Sequence, residues 1–373
     1  MYQIQINILN NSDRYIGEPL YLAGTFNNWD PEHLHVGQIP SQGEWISYTL
    51  FGISEGELDL KLSRGSFSTL RASKEGNLLD AASFEVTQDL IIDLEIDAWR
   101  DDFPASTASP QVQVLDKHFY FPELAVYRRV WIYLPKGYTE SEAEYPVLYM
   151  HDGQHLFDEA TSVGRAGPVE WRVDETIDKA GLASIVVAID HAQDYDRREQ
   201  EYMIHPTAEI IDPRGQAYLE DIVNTLKPYV DKHYRTSKDP QLTAMVGSSL
   251  GGLMATYAGL LYPETFGTIG SFSPSIWLDH EPLYALTDLQ YSSRKDDYKN
   301  QEIYFYIGEK ENRVTSSLQM FQDLKDYIQH IENIYPGKIE FHTHPSGKHS
   351  AHYWQYAFKE FYGYWQERHF SKQ

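Results

Sequence analysis

Alternating polar and apolar residues characterise the first hundred positions of the chain. Residues 2–8 alternate with a period of two, and similar short runs follow at 19–22, 44–50, 58–62 and 90–96. This alternation is typical of strands with one buried face, and several short strands at such spacing indicate a sandwich of two sheets. The next segment, 100–110, is rich in Pro, Ser and Asp and has no periodicity, which is typical of a linker.

Beyond the linker, short apolar runs alternate with helical periodicity. The apolar runs predict strands at 130–134, 146–150, 185–189, 242–246, 268–272, 303–307 and 339–343. Apolar residues at helical spacing predict helices over about 219–230, from about 250, over 318–334 and up to about 369, and Pro228 is expected to kink or shorten the first. Strands that alternate with helices build a mostly parallel sheet covered on both faces. We therefore predict an all-β sandwich over 1–99, a linker over 100–111 and an α/β domain over 112–373.

Composition narrows the classes of partner. With 42% hydrophobic and 23% charged residues the chain is ordinarily globular, and its formal net charge of −24 disfavours nucleic acid and anionic membrane surfaces as partners. Cysteine is absent, which excludes disulfides, thiolate metal sites and a cysteine nucleophile. No long apolar run is present, and the first ten residues lack the layout of a secretory signal. We therefore expect a cytoplasmic protein, unless a signal peptide has been removed.

The motif Gly-x-Ser-x-Gly, formed by Gly247, Ser249 and Gly251, predicts a nucleophile. A strand pattern leads into the motif and a helix pattern leads out, which is the context of a nucleophile elbow. The start of the helix offers free N–H groups near the attacked carbonyl. The alternative is a turn of small residues with a packing role. Ser248 is the adjacent competitor, but it occupies the variable position of the motif.

A serine nucleophile needs a base and an acid that orients the base. Of the histidines after the motif, His349 lies in a loop between the last strand and the last helix, where a base can reach the serine, and His352 is the nearest alternative. The acid is expected after the strand 303–307, where Glu309 and Glu311 both qualify. Asp279 and Asp288 are further options, although neither directly follows a strong strand.

The oxyanion hole needs two backbone donors. We expect the N–H of Leu250 to be one of them, and the loop 151–155 is placed to supply the other. A metal site is the alternative use of the histidines, because His342 and His344 share a strand face and His349 and His352 lie nearby. No carboxylate motif accompanies them, so we predict no metal and no cofactor.

Together, several segments of the second domain resemble the putative esterase (esterase D-like) family of α/β-hydrolases, which includes enterochelin esterases, feruloyl esterases and the antigen 85 acyltransferases. The segments are 129–138, 147–154, 198–202, 246–252, 271–277 and 347–349 with Trp354. The resemblance implies an α/β-hydrolase fold, Ser249 as the nucleophile, His349 as the base and Glu311, over Glu309, as the acid. It also implies backbone donation from Gln154 and Leu250. The same segments offer Asp152, Arg198, Glu201 and Trp277 as residues of the substrate pocket, and a pair within 198–201 is expected to support it.

The segment 21–29 resembles the immunoglobulin-like glycogen- and starch-binding modules, and 61–67 continues the likeness. These modules stack exposed tryptophans on sugar rings, and Phe67 stands here at the second aromatic position. We expect Trp29 to pack in the sandwich core or against the catalytic domain.

These observations predict a serine carboxylic-ester hydrolase that acts through an acyl-enzyme. Its expected substrate is a small-molecule or glycan-linked ester, either carbohydrate-linked or of the siderophore type. The alternatives are an acyltransferase with the same triad and a glycan-binding protein with an inactive hydrolase scaffold. The sequence leaves the oligomeric state open.

Overall fold

The computed structural model describes residues 1–164, 167–181, 183–312 and 319–370, with side chains up to residue 368. The chain divides into two compact units, one formed by Met1–Thr107 with Glu159–Val169 and the other by Ala108–Asp158 with the chain from Glu170 onward. Residues 100–107 of the predicted linker therefore group with the first unit. Glu159–Val169 group there as well, since the buried Arg100 forms an ion pair with Glu159. The sequence pattern did not predict that Glu159–Val169 would group with the first unit.

The first unit is built from short strands. Their bounds are β1 Tyr2–Asn10, β2 Pro19–Gly24, β3 Leu34–Gln38, β4 Trp45–Ile53, β5 Gly56–Ser63, β6 Arg71–Ala72, β7 Ala82–Val86, β8 Leu90–Ile96 and β9 Ala98–Trp99. One sheet has the order β4-β1-β8 and another has the order β3-β2-β5-β7, while β6 pairs with β9. Short 3-10 turns lie at Thr25–Asn27, Phe67–Thr69 and Arg100–Asp102.

Period-two alternation places the apolar side chains of both sheets in one core. Ile4, Ile6 and Ile8 of β1 are fully buried there together with Leu58, Leu60 and Leu62 of β5. The predicted sandwich is confirmed. Phe26 packs against this core, whereas Trp29 is half-buried and lies outside it. Trp29 therefore does not pack in the sandwich core, and the alternative, that it packs against the catalytic domain, stays a prediction.

The second unit alternates strands with helices. The strands are β10 Val112–Phe121, β11 Val126–Tyr133, β12 Val147–Met150, β13 Ile185–Ile189, β14 Thr243–Ser248, β15 Thr268–Phe272, β16 Glu302–Gly308 and β17 Lys338–His344. The helices are α1 Val173–Ala180, α2 Tyr195–Glu201, α3 Gly215–Asp221, α4 Lys227–His233, α5 Leu250–Leu261, α6 His280–Ser293, α7 Met320–Ile331 and α8 Ala351–Phe370. Shorter 3-10 turns lie at Tyr138–Glu140, Gly153–His155, Pro240–Leu242, Ile276–Leu278 and Lys295–Tyr298.

The strands form a single sheet in the order β10-β11-β13-β12-β14-β15-β16-β17. The strands from β13 to β17 in this order are parallel, and β10 and β11 run antiparallel at one end. Helices cover the two faces, and separate apolar clusters fill the space beneath them. The predicted α/β-hydrolase fold is confirmed.

The central strands are buried along their whole length because both faces are covered. Their register aligns the carboxyl ends, since Ser248 pairs with Phe272 and Gly308 pairs with His344. The loops after β12, β14, β15, β16 and β17 therefore meet at one edge of the sheet. Ligands bind at this edge in open α/β sheets.

The helix that was predicted over 219–230 changes its hydrogen-bond pattern just before Pro228. A π-helical turn, Ile222–Leu226, joins α3 to α4, and Pro228 lies in the first turn of α4. Proline has no N–H to donate, so a regular helix cannot continue through it unchanged. In the described part of the chain, no helix has both the length and the apolar character that are needed to cross a bilayer.

Candidate active site

Ser249 occupies a strained turn between β14 and α5. Its φ of 56° and ψ of −123° lie outside the regions that L-residues favour. The chain is crowded here, because a Cβ added to Gly247 would lie 2.4 Å from the Gly251 carbonyl oxygen and one added to Gly252 would lie 2.7 Å from the Phe272 carbonyl oxygen. Only glycine fits at these two positions, so Gly247 of the motif and the adjoining Gly252 are explained by close backbone packing around the half-buried Ser249.

His349 and Glu311 lie in line with this hydroxyl. The distance from His349 Nε2 to Ser249 Oγ is 2.9 Å, and the distance from His349 Nδ1 to Glu311 Oε2 is 2.8 Å. Glu311 is buried, with 3% of its surface exposed. Because a carboxylate only accepts, Nδ1 carries the proton and Nε2 is left to accept the serine proton.

Two donors fix the second oxygen of Glu311. Oε1 accepts hydrogen bonds from the Ser273 hydroxyl at 2.6 Å and from the Gly308 N–H at 2.9 Å. The Trp354 indole N–H in turn donates to Ser273 Oγ at 3.0 Å, and the Trp354 ring meets His349 edge-on. Glu309, the competing candidate, accepts from Thr343 at the surface. The structure thus places Glu311, and not Glu309, against His349.

Ser275 is a site residue that sequence reasoning missed. Its side chain is buried, its Oγ lies 3.3 Å from Ser249 Oγ, and its N–H donates to the Ser249 carbonyl oxygen at 3.1 Å. Ser275 therefore holds the backbone of Ser249 and provides a neighbour for its hydroxyl. The only sequence signal was its position after β15, within a segment that had been noted for other reasons.

The expected oxyanion donors lie on two elements beside Ser249. Leu250 is the first residue of α5, so its N–H lies in the turn that has no intrahelical acceptor. Gln154 lies in the turn Gly153–His155, and its side-chain oxygen accepts from the His191 N–H at 3.2 Å. This turn abuts the elbow, because a Cβ on Gly251 would lie 3.0 Å from Asp152 Oδ2.

Asp152 and Arg198 form a buried, bidentate ion pair beneath this turn. Arg198 Nε and Nη2 donate to the two carboxylate oxygens, both at 2.8 Å. Burial alone would raise the pKa of Asp152, but the Arg198 guanidinium outweighs burial and holds that pKa well below its usual range. Asp152 also has a left-handed φ of 58°, so the ion pair fastens the start of the turn.

Glu201 does not pair with Arg198. It accepts from Arg128, with 2.6 Å between Arg128 Nη2 and Glu201 Oε2, and from Arg197 at 3.0 Å. The pair expected within the segment 198–201 is therefore absent, because α2 directs the two side chains to different neighbours. Arg198 supports the turn Gly153–His155, and Glu201 ties α2 to β11.

Trp277, His342 and His330 make other contacts in this unit. Trp277 is half-buried and packs against the larger core. His342 stacks on Tyr304 and His330 pairs with Asp288, so neither joins His349. The side chain of His369 lies outside the described residues.

A cluster of carboxylates lies at the start of α1. Glu170, Asp174 and Glu175 each offer an oxygen within 4.8 Å of the others. Burial, and then the neighbouring Asp174, raise the pKa of Glu175 to about 7, and burial also raises the pKa of Asp174. The sequence analysis had found no carboxylate group of this kind. An acidic cluster by itself does not define a metal site, and we assign no metal to it.

Comparisons with known proteins show the family to which the chain belongs. Residues 123–363 match the model of the family described as Putative esterase. A Bacillus subtilis relative, Uncharacterized protein YbbA, is 30% identical over 198 residues, which cover 52% of this chain and 72% of the relative. The siderophore triacetylfusarinine C esterase of Aspergillus fumigatus is 31% identical over 143 residues, which cover 35% of this chain and 44% of that enzyme.

The fold is also found in solved structures. The enterobactin esterase FES from Shigella flexneri, determined in the presence of enterobactin, superposes with a TM-score of 0.58 at 18% identity and covers 95% of this chain and 89% of its own. At this identity the likeness concerns the fold alone. The family match spans more than half of the chain, and it includes Ser249, Glu311 and His349. The chain therefore belongs to the putative esterase family, and it is a serine-type carboxylic ester hydrolase.

Proposed function

We propose that Ser249, His349 and Glu311 are the catalytic triad of this esterase. The observation that carries the proposal is the line of hydrogen bonds from Glu311 through His349 to Ser249, with 2.8 Å and 2.9 Å between the bonded atoms. In the first step Ser249 Oγ attacks the ester carbonyl carbon while His349 Nε2 takes its proton. His349 then gives this proton to the leaving alcohol oxygen, and an acyl-enzyme remains.

Water completes the reaction in the reverse sense. His349 takes a proton from the water, the resulting oxygen nucleophile attacks the acyl carbon, and the proton returns to Ser249 as the acid leaves. Glu311 stays ionised and stabilises the imidazolium that forms twice in the cycle. Its two donors, Ser273 and Gly308, keep it in the orientation that this role requires.

The developing oxyanion is assigned to the backbone N–H groups of Leu250 and Gln154. Leu250 N–H benefits from the positive end of the α5 dipole, and the Gln154 turn is braced by the Asp152–Arg198 pair. Removal of one such donor lowers kcat by about 10²–10³-fold in a serine hydrolase. The two donors and the triad come from loops at the same edge of the sheet.

We further propose an ester of the siderophore type as the substrate, with a carbohydrate-linked ester as the other candidate from the sequence. The names of the relatives support the first, since a triacetylfusarinine C esterase and an enterobactin esterase share the family or the fold. Both candidate substrates are small-molecule esters, and their hydrolysis by the triad needs no cofactor.

The proposal is tested with purified protein, a p-nitrophenyl acetate assay and a panel of acetyl, feruloyl and catecholate lactone esters. Ser249→Ala is expected to lower kcat by several orders of magnitude, because the triad acts as a unit. Ser248→Ala is the matched control and is expected to retain activity. A fluorophosphonate adduct that maps to a residue other than Ser249, or full activity of Ser249→Ala, contradicts the proposal.

A further inference from the structure

A second histidine–aspartate pair lies in the catalytic unit. The Nδ1–H of His205 donates to Asp279 Oδ2 at 2.8 Å, and the Tyr257 hydroxyl donates to the same oxygen. The Asp279 side chain is 1% exposed, whereas the His205 side chain is 29% exposed. The carboxylate is therefore buried beneath a ring that reaches the surface.

The pair is connected to the nucleophile by short segments. Asp279 follows the turn Ile276–Leu278, four residues after Ser275, whose hydroxyl lies 3.3 Å from Ser249 Oγ. At about 2 Å per residue in a 3-10 turn, Asp279 lies ~8 Å from Ser275. Tyr257 lies eight residues beyond Ser249 in α5, or ~12 Å along a helix with a rise of about 1.5 Å per residue. These lengths place the pair near the segments that carry Ser249 and Ser275. The side-chain hydrogen bonds described for Ser249 are to His349 and Ser275, so we assign the pair no part in the attack on the ester.

The chemistry of the exposed nitrogen follows from the buried contact. Since the Asp279 carboxylate only accepts, Nδ1 carries the proton, and Nε2 of the neutral ring is an acceptor. An oriented acceptor of this kind binds a hydroxyl, as His349 Nε2 binds the hydroxyl of Ser249. A site that pairs with a substrate hydroxyl discriminates against the analogue that lacks it.

We propose that His205 is a specificity-determining residue, whose Nε2 accepts a hydrogen bond from a hydroxyl on the part of the substrate remote from the ester. This inference rests on the proposed function and adds a requirement for a hydroxylated substrate. Phenols and sugars both carry such hydroxyls, so the probes must separate the two sources.

His205→Asn is the informative variant, because the asparagine amide retains a donor for Asp279 and removes the Nε2 acceptor. His330→Asn is the matched control. His330 also pairs with an aspartate, but its partner Asp288 is 55% exposed on the surface of α6. Thermal unfolding of both variants is expected to resemble that of the wild type, which separates substrate recognition from a structural role.

The assay compares kcat/KM for pairs of methyl esters that differ only in hydroxyl groups. The pairs are p-coumarate with cinnamate and N-(2,3-dihydroxybenzoyl)serine with N-benzoylserine, and a glucose 6-acetate arm tests a sugar hydroxyl. His205→Asn is expected to reduce the preference for the hydroxylated member of at least one pair about 5- to 10-fold, which is the loss of one hydrogen bond. His330→Asn is expected to leave the preference unchanged.

A second measurement does not depend on turnover. Affinities of the corresponding free acids are measured with Ser249→Ala and with Ser249→Ala/His205→Asn, and the same loss of preference is expected. If no ester is hydrolysed by the wild type but His205 still governs binding of the hydroxylated acid, the proposed function fails and this inference stands. The inference is overturned if His205→Asn lowers kcat/KM equally for both members of every pair. It is also overturned if the preference in every pair and the kcat/KM for glucose 6-acetate are unchanged.

Discussion

Replacement of Arg198 by methionine tests how the oxyanion turn is held. Arg198→Met keeps most of the side-chain length but removes both hydrogen bonds to Asp152. The pair is almost completely buried, with 8% of each side chain exposed, and both N–O distances are 2.8 Å. Asp152 would then be a buried carboxylate with no cation beside it, and its depressed pKa would rise.

The expected loss of stability is large because desolvation is no longer compensated. Breaking a buried ion pair by removing one partner costs about 3–5 kcal/mol, which is a substantial part of the ~5–15 kcal/mol stability of a typical domain. The variant should still fold. The double variant Asp152→Asn/Arg198→Met removes both charges and is expected to be less destabilised than the sum of the single variants.

Urea denaturation followed by tryptophan fluorescence measures the stability of these variants and of the wild type. Lys299→Met is the matched control, because the Lys299–Asp296 pair has the same 2.8 Å separation but is 61% and 86% exposed. An exposed pair of this kind contributes little to stability, because water and salt screen the two charges. Hydrolysis of p-nitrophenyl acetate by the same proteins measures the second effect, a fall in kcat of up to about 10²-fold as the Gln154 turn loosens.

Two results would refute this reasoning. If Arg198→Met unfolds at the same urea concentration as Lys299→Met, the buried pair contributes nothing beyond an exposed one. If Arg198→Met is destabilised but retains the wild-type kcat, the pair stabilises the domain without positioning the oxyanion donor.

Two further predictions concern groups around the site. Burial lowers the pKa of His151 to about 4, so between pH 6.5 and 4 the unfolded chain binds a proton that the folded chain does not. The free energy of unfolding should therefore decrease by ~3 kcal/mol as the pH is lowered through this window. His151→Asn should reduce the difference between the urea midpoints measured at pH 7 and at pH 4.5. Glu175, with a pKa raised to about 7, makes the folded state more stable as the pH falls. This contribution is the same in the wild type and in His151→Asn, so it cancels when the two are compared. Trp354→Phe keeps an aromatic ring beside His349 but removes the donor to Ser273, so kcat should fall about 3- to 10-fold with little change in thermal stability, and an unchanged kcat would contradict a positioning role.

Local patterns in the sequence were sufficient for the two architectures and for the turn that carries Ser249. The strands 90–96, 185–189 and 268–272 have the predicted bounds, because alternation or continuous apolar character depends directly on which faces are buried. Strands β3 and β7 were not predicted, since their half-buried residues give only a weak alternation. The position of Ser249 was readable because a sharp turn between a strand and a helix requires glycine at fixed offsets.

The contacts across long sequence separations were decided by the tertiary structure. By itself the sequence left Glu309 and Glu311 open, and the family resemblance favoured Glu311; only the fold shows why, because Ser273 and Gly308 bind its second oxygen while Glu309 faces Thr343. The partners of Arg198 and Glu201 were likewise invisible, since α2 sends their side chains to Asp152 and Arg128. The sequence determined which chemistries were present at each loop, because residue type and local spacing are read directly from it. Which of these groups meet was determined by sheet order and register, because those bring together residues that the chain separates by tens of positions.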